Sequence, residues 1–294
     1  ERIKSIKEHM REYLDKGDYE NAMLLARKTL ASSPQNIPSW RLAAEISEKR
    51  NDANVLYFLQ RLVALEPTMD NRLRLIRLAL QWRADDLADR TIAAMGPEAR
   101  NSAEFHQLAV QTSMRLGNTI QAKFHLMTLC DLEPDNRTAR LELARIRLAE
   151  AGPDLRGSIR AEIRSLASDP ALRINAIGTL LNDSLKQNEA HDALALAAEL
   201  QREADLPAAH SVAVAEALRK FEPARLTDYL AALRQRVQTR PADVVRLGYY
   251  LVESGRAAES KDWLISLPDT VIGLPGVQRI IAACHADLQE WPRL

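Results

Sequence analysis

The stretch Gly17-Asp18-Tyr19-Glu20-Asn21-Ala22, closed by Pro34, returns one hundred residues later as Gly117-Asn118-Thr119-Ile120-Gln121-Ala122, closed by Pro134. In both, a glycine able to take positive φ ends one helix, Asp or Asn caps the next, and a small alanine lets the two helices approach. Proline then stops the pair. Each stretch therefore reads as a helical hairpin. Pro34 to Pro67 is 33 residues and Pro67 to Pro134 is 67, about twice a period in the low thirties.

That spacing resembles the tetratricopeptide repeat, a helix–turn–helix unit of about 34 residues. Trp40 stands where the second unit's signature aromatic would fall, and Leu247-Gly248, Leu251 and Gly255 reproduce the repeat's spacing late in the chain. Asn188, Ala190 and Ala193 occupy the turn-glycine, bulky and close-packing positions of a worn copy. The unit at Asp85-Asp86-Leu87-Ala88 lacks the turn glycine, and the one at Gly152-Pro153 has an extended turn. The resemblance implies an all-α solenoid, a right-handed superhelix of about eight hairpins plus a C-terminal remnant. Residues 1–136 are expected to hold the most regular repeats and 137–294 the degenerate ones, in one domain that is a piece of a longer chain.

Composition points the same way. Ala, Leu, Arg and Glu dominate, and only 10 glycines and 13 prolines interrupt them, mostly between the expected helices. Paired helices are expected near 3–16 and 19–32, 37–49 and 52–65, 70–83 and 85–95, 102–116 and 119–132, and 137–150 and 154–168. They continue at 171–186 and 190–204, 208–220 and 223–238, 241–254 and 257–266, with a last helix near 275–288.

Charge and chemistry mostly exclude. Forty basic residues balance forty acidic ones, which disfavours a phosphate-backbone reader of the pentatricopeptide kind. No apolar run is long enough to span a bilayer. Cys130 and Cys284 read as buried small hydrophobes. The six histidines fall in different units without metal-ligand spacing, although His106 and His125 are placed to meet across a hairpin, where a hydrogen-bonded structural role is expected. Gly273, Pro275 and Gly276 read as a turn between hairpins. No cofactor, metal or catalytic residue is expected, and the sequence leaves the cellular compartment open.

The surface is then expected to carry the function. In the tetratricopeptide family the first helix of each unit lines a concave groove. Carrying that register over places Lys7, Arg41, Arg74 and Gln107 in one cationic column, Arg11, Glu45, Leu78 and Gln111 in the next, and Asp15, Lys49, Trp82 and Arg115 in a third. The helix at 70–83 is apolar around most of its circumference, with Leu75, Leu78 and Trp82 on the groove side. Either curvature lets neighbouring helices bury this second stripe, or it is an anchor flanked by arginines for an acidic, amphipathic peptide. The family's chaperone-tail clamp would fall on Lys7, Arg11, Leu42, Asn71 and Leu75, and only the first matches. What the resemblance implies is a non-enzymatic scaffold or adaptor binding another protein or peptide. The alternatives are a spacer in a bacterial envelope or polysaccharide-export assembly, to which Arg- and Ala-rich usage lends a weak hint, or a regulatory module fused to a domain outside this segment. An open apolar end at 275–294 is expected to support end-to-end dimers.

Overall fold

The computed structural model describes residues 2–290, with side chains throughout that range except at 2–7 and 10. Among the described residues there are eighteen α-helices and no strand. They divide into two compact units, residues 1–143 and 144–294. The first holds α1 (Arg2–Asp15), α2 (Tyr19–Ser32), α3 (Ile37–Lys49), α4 (Val55–Leu65), α5 (Met69–Gln81), α6 (Asp85–Ala93), α7 (Ala103–Arg115) and α8 (Thr119–Leu132). The boundary falls within α9 (Arg137–Glu150). The second unit continues with α10 (Pro153–Leu166), α11 (Pro170–Gln187), α12 (Ala190–Leu200), α13 (Ala208–Phe221), α14 (Pro223–Val237), α15 (Pro241–Glu253), α16 (Ala257–Ile265), α17 (Asp269–Ile272) and α18 (Pro275–Asp287). The short α17 and a 3-10 turn at Pro97–Asn101 are not announced by the repeat.

One backbone device recurs along the chain. A residue with left-handed φ ends a helix at Gly17, Asn51, Arg83, Gly117, Asn188, Gly255 and Gln289. At each, the next N–H donates to the carbonyl five positions back, as in Asp18 to Tyr13, Asp52 to Ser47, Ala84 to Ala79 and Glu189 to Ser184, at 2.8–2.9 Å. This is the Schellman turn, which satisfies a helix-end carbonyl while reversing the chain. Where glycine is missing, Asn, Arg or Gln takes the left-handed conformation, so the turn outlives its sequence signature. The spacing of 34, 32 and 34 residues across the first four turns is the repeat itself.

Capping and close packing complete each hairpin. Asp18, Asn36, Thr68, Ser102 and Asn118 accept a hydrogen bond from the backbone N–H three residues on. Ser33, Glu66, Glu133 and Glu222, each preceding a proline, leave the helical region, with ψ between 62° and 83°, which stops the preceding helix. Five residues after the turn, Ala22, Ala88, Ala122, Ala193 and Ser260 are fully buried. A larger side chain there would hold the two helices apart.

Two expectations fail locally and a third holds only in part. Cys284 is buried but Cys130 is only half-buried, because it follows Leu129 and lies off the buried face of α8. Gly276 is not in a turn. It lies in the first turn of α18, where an added Cβ would come within 2.9 Å of Val245. At the C-terminal end, α18 buries Val277, Ile280 and Cys284 and packs on α15 and α16, while Ile281, Ala283 and Leu288 stay half-exposed. Residues 291–294 of the expected open end lie outside the described residues.

Candidate functional site

Within the first unit, first helices of successive hairpins touch directly, α1 on α3 and α5 on α7. The face they share is where the sequence places its cationic columns. Lys7 is in α1, but its side chain lies outside the described residues. Arg41 donates to the Glu66 carboxylate at 2.5 Å, and the same carboxylate accepts from Asn71 at 3.2 Å. These two donors hold the Glu66 carboxyl below the usual carboxylate range. Arg74 donates through Nε to Glu48 at 3.0 Å. Arg115 donates to the carbonyl of Leu80 at 2.5 Å and to Asp85 at 2.9 Å. Arg11 reaches Glu45 at 3.1 Å, and Arg77 pairs with Glu104.

The expected cationic column is therefore a ladder of ion pairs. Three rungs tie consecutive first helices together, Arg11 to Glu45, Arg74 to Glu48 and Arg77 to Glu104, and the positive charge is balanced in place. Spacing of arginines could not reveal this, because each acid comes from a neighbouring unit 26 to 34 residues away.

The apolar anchor also changes. Leu78 is 5% exposed and Leu75 2%. Both belong to the core shared with α1–α4, while Leu73, Ile76 and Leu80 serve the core toward α6 and α7. Helix α5 is apolar on two sides because it is packed on two sides, so Leu78 offers nothing to a partner. Trp82 is half-buried against the first of these cores. The helix ends at Gln81, and Trp82 is its cap, with its N–H bonded to the Leu78 carbonyl and Arg83 left-handed behind it. Trp82 keeps the bond to the carbonyl four residues back and lies against the same core as Leu75 and Leu78. Gln107 and Gln111 are exposed on α7 and make no hydrogen bond among the described residues.

His106 and His125 do meet. Their Nδ1 atoms are 2.9 Å apart in the buried interior of the α7–α8 hairpin, and His106 Nε2 lies 3.2 Å from the Arg100 carbonyl. A carbonyl can only accept, so His106 carries its proton on Nε2. Its Nδ1 then accepts from His125 Nδ1–H. Phe105 stacks edge-on to both rings. Burial, and secondarily the neighbouring His106, push His125 down to about 4. The pair is a structural link across the hairpin, and among the described residues no three metal-binding side chains come together.

Sequence reading missed a second surface. Between α2 and α4 runs a cleft of about 740 Å³ floored by Trp40, with Tyr57, Phe58 and Leu30 on its walls and Arg27 and Arg61 beside it. Trp40 was legible as a repeat aromatic, and Tyr57 and Arg61 lie one turn apart on α4. That α2 and α4 leave a gap is a property of packing and has no local signature.

No protein-family model matches the sequence, and no curated protein matches it. Solved structures do. Yeast Tom70 superposes with a TM-score of 0.54 at 13% identity, over 93% of this chain and 59% of that one. Pseudomonas aeruginosa PilF gives 0.44 at 13% identity over 68% and 90%, and PilW, a type IV pilus biogenesis factor, gives 0.40 at 18% over 69% and 94%. At such identities the likeness concerns architecture alone. With hairpins closed by a left-handed turn at a period near 34 residues, the chain is, in fold, a tetratricopeptide-like α-solenoid.

Proposed function

We propose that the chain is a non-enzymatic protein-interaction scaffold that holds a protein or peptide partner on the first-helix face of its first unit. Arg41, Arg74, Gln107, Gln111, Arg115 and the half-buried Trp82 form the contact set. The supporting observation is the ion-pair ladder. Arg41 and Arg115 are both partly exposed and already matched to carboxylates. An exposed pair of this type contributes only ~0–1 kcal/mol. An acidic partner can therefore exchange its carboxylates for those of the chain at little net expense, and Gln107 and Gln111 add donors and acceptors that have no partner within the described residues. The ladder then sets register and encounter rate more than affinity.

A photo-crosslinking amino acid placed at Gln107 or Gln111 tests this in the organism's own extract, against the same probe at the exposed Glu20 on α2. One partner captured from the first two positions and not from the third supports the reading. Equal capture at all three, or none at Gln107 and Gln111, overturns it. With the partner in hand, charge reversal of Arg41 and Arg74 is expected to slow association about 10-fold and to flatten its salt dependence.

A further inference from the structure

The cleft between α2 and α4 differs from the first-helix face in its charge balance. Its lining contains two arginines and neither Asp nor Glu. Among the described residues Arg27 and Arg61 form no ion pair and no hydrogen bond. Asp52 lies within electrostatic reach of Arg27 without pairing with it, and its Oδ1 accepts both the backbone and the side-chain N–H of Asn54, at 3.0 and 2.8 Å. Arg61 sits over the ring of Tyr57, 5.7 Å from its centroid. The ring face attracts the cation without using its N–H donors.

The floor is the opposite of the rim. Trp40 spends its indole N–H on the Pro34 carbonyl at 2.7 Å, so no donor remains there to hold a polar group. Tyr57 meets Trp40 edge-on at 5.9 Å and Phe58 at 5.5 Å, and this aromatic cluster keeps the cleft open without filling it. Tyr57 nevertheless remains 49% exposed. An apolar floor between two forked, unmatched cations suits one chemistry: a large apolar side chain inserted in the cleft with carboxylates on either side of it. We infer that the α2–α4 cleft is a second docking site, for an acidic peptide segment carrying a leucine or phenylalanine anchor, on the face formed by second helices and independent of the first-helix face. Nucleic acid fits less well. Phosphate-backbone binding needs a longer basic stripe, and the chain is formally neutral.

The test uses a fluorescein-labelled peptide, acetyl-Glu-Asp-Leu-Phe-Asp-Glu-amide, titrated with the whole chain and followed by anisotropy. Saturable binding is expected, weakened about 10-fold by Arg27→Gln and by Arg61→Gln, as for contacts at an interface centre, and abolished when the peptide's acids become Asn and Gln. Both arginines are exposed, so these variants are expected to fold, and circular dichroism verifies it. Arg41→Gln on the first-helix face and Arg90→Gln on α6 are expected to leave binding unchanged, which separates this site from the function proposed above. The inference is overturned if the peptide does not bind, if Arg41→Gln or Arg90→Gln weakens binding as much as the cleft variants, or if an oligouridylate probe binds through Arg27 and Arg61 while the peptide fails.

Discussion

The hairpins α7–α8 and α11–α12 close with the same left-handed turn, on Gly117 in one and Asn188 in the other, yet each buries polar groups of a different kind. Inside the first lie two imidazoles joined Nδ1 to Nδ1. Inside the second, Asp183, only 6% exposed, takes Arg160 at 2.6 Å and Arg156 from α10, and Arg160 also reaches Glu189 at 2.7 Å. The turn is common to both because it is a backbone requirement. The buried polar cluster is free to vary, since any arrangement that satisfies its donors and acceptors is compatible with the same hairpin. The two clusters differ in how much depends on one atom group: Asp183 is a shared acceptor for two cations, whereas each histidine serves one partner across the hairpin.

The largest expected effect follows from that sharing. Asp183→Ala removes the common acceptor of two partly buried guanidinium groups, and breaking such a cluster is expected to destabilise the chain by about 3–5 kcal/mol. Urea denaturation measures it, and a loss below about 1 kcal/mol would show that Glu189 and solvent replace Asp183, erasing the contrast with the histidine pair.

Next comes the pH response of the α7–α8 hairpin. Burial depresses His125 from 6.5 to about 4, so between those values the unfolded chain binds a proton that the folded chain refuses. Stability is therefore full above pH 6.5, falls as pH drops toward 4, and levels off below that. The loss assigned to this residue is on the order of 3 kcal/mol. Comparing denaturation midpoints of the native chain and His125→Phe across pH 7 to 4 isolates it. Parallel curves would remove His125 as the source.

The turns give smaller effects and sharpen the comparison at its common element. Gly117→Ala forces a Cβ into φ 71° and is expected to cost about 1 kcal/mol in thermal or chemical denaturation. At Asn188, already left-handed without glycine, Asn188→Gly is expected to stabilise by only a few tenths of a kcal/mol, since Asn is among the residues that tolerate this region. If Asn188→Gly instead gains as much as Gly117→Ala loses, the strain in the worn hairpin is larger than its regular capping bonds imply.

Much of the fold was legible in local sequence. Helices 19–32, 37–49 and 119–132 have the boundaries expected from capping residues and prolines, because caps, left-handed turns and non-helical pre-proline residues act within a few positions of themselves. The worn unit at Asn188 was readable for the same reason, since Asn is an acceptable substitute for glycine at a left-handed position. Arg83 in that position was not, because nothing in an arginine announces positive φ. The short α17 also escaped, having neither repeat spacing nor a side-chain cap.

The candidate sites were less legible. Arg41, Arg74 and Arg115 could be aligned into columns by counting residues, but whether a cation is free depends on which carboxylate the packing presents: Glu48 and Asp85 come from the neighbouring hairpin, and Glu66 from the end of α4 in the same one. Leu78 looked surplus to one core because a second core, on the other side of α5, is visible only once both neighbours are in place. The cleft with Arg27 and Arg61 exists because α2 and α4 stand apart over Trp40, a distance that no spacing in the chain encodes. By itself the sequence determined the hairpin, its turn, its caps and its period, since these are short-range consequences of backbone sterics and hydrogen bonding. The tertiary structure alone decided which charges are matched, which apolar side chains are buried and where the surface opens, since those depend on atoms brought together from residues 19 to 35 positions apart.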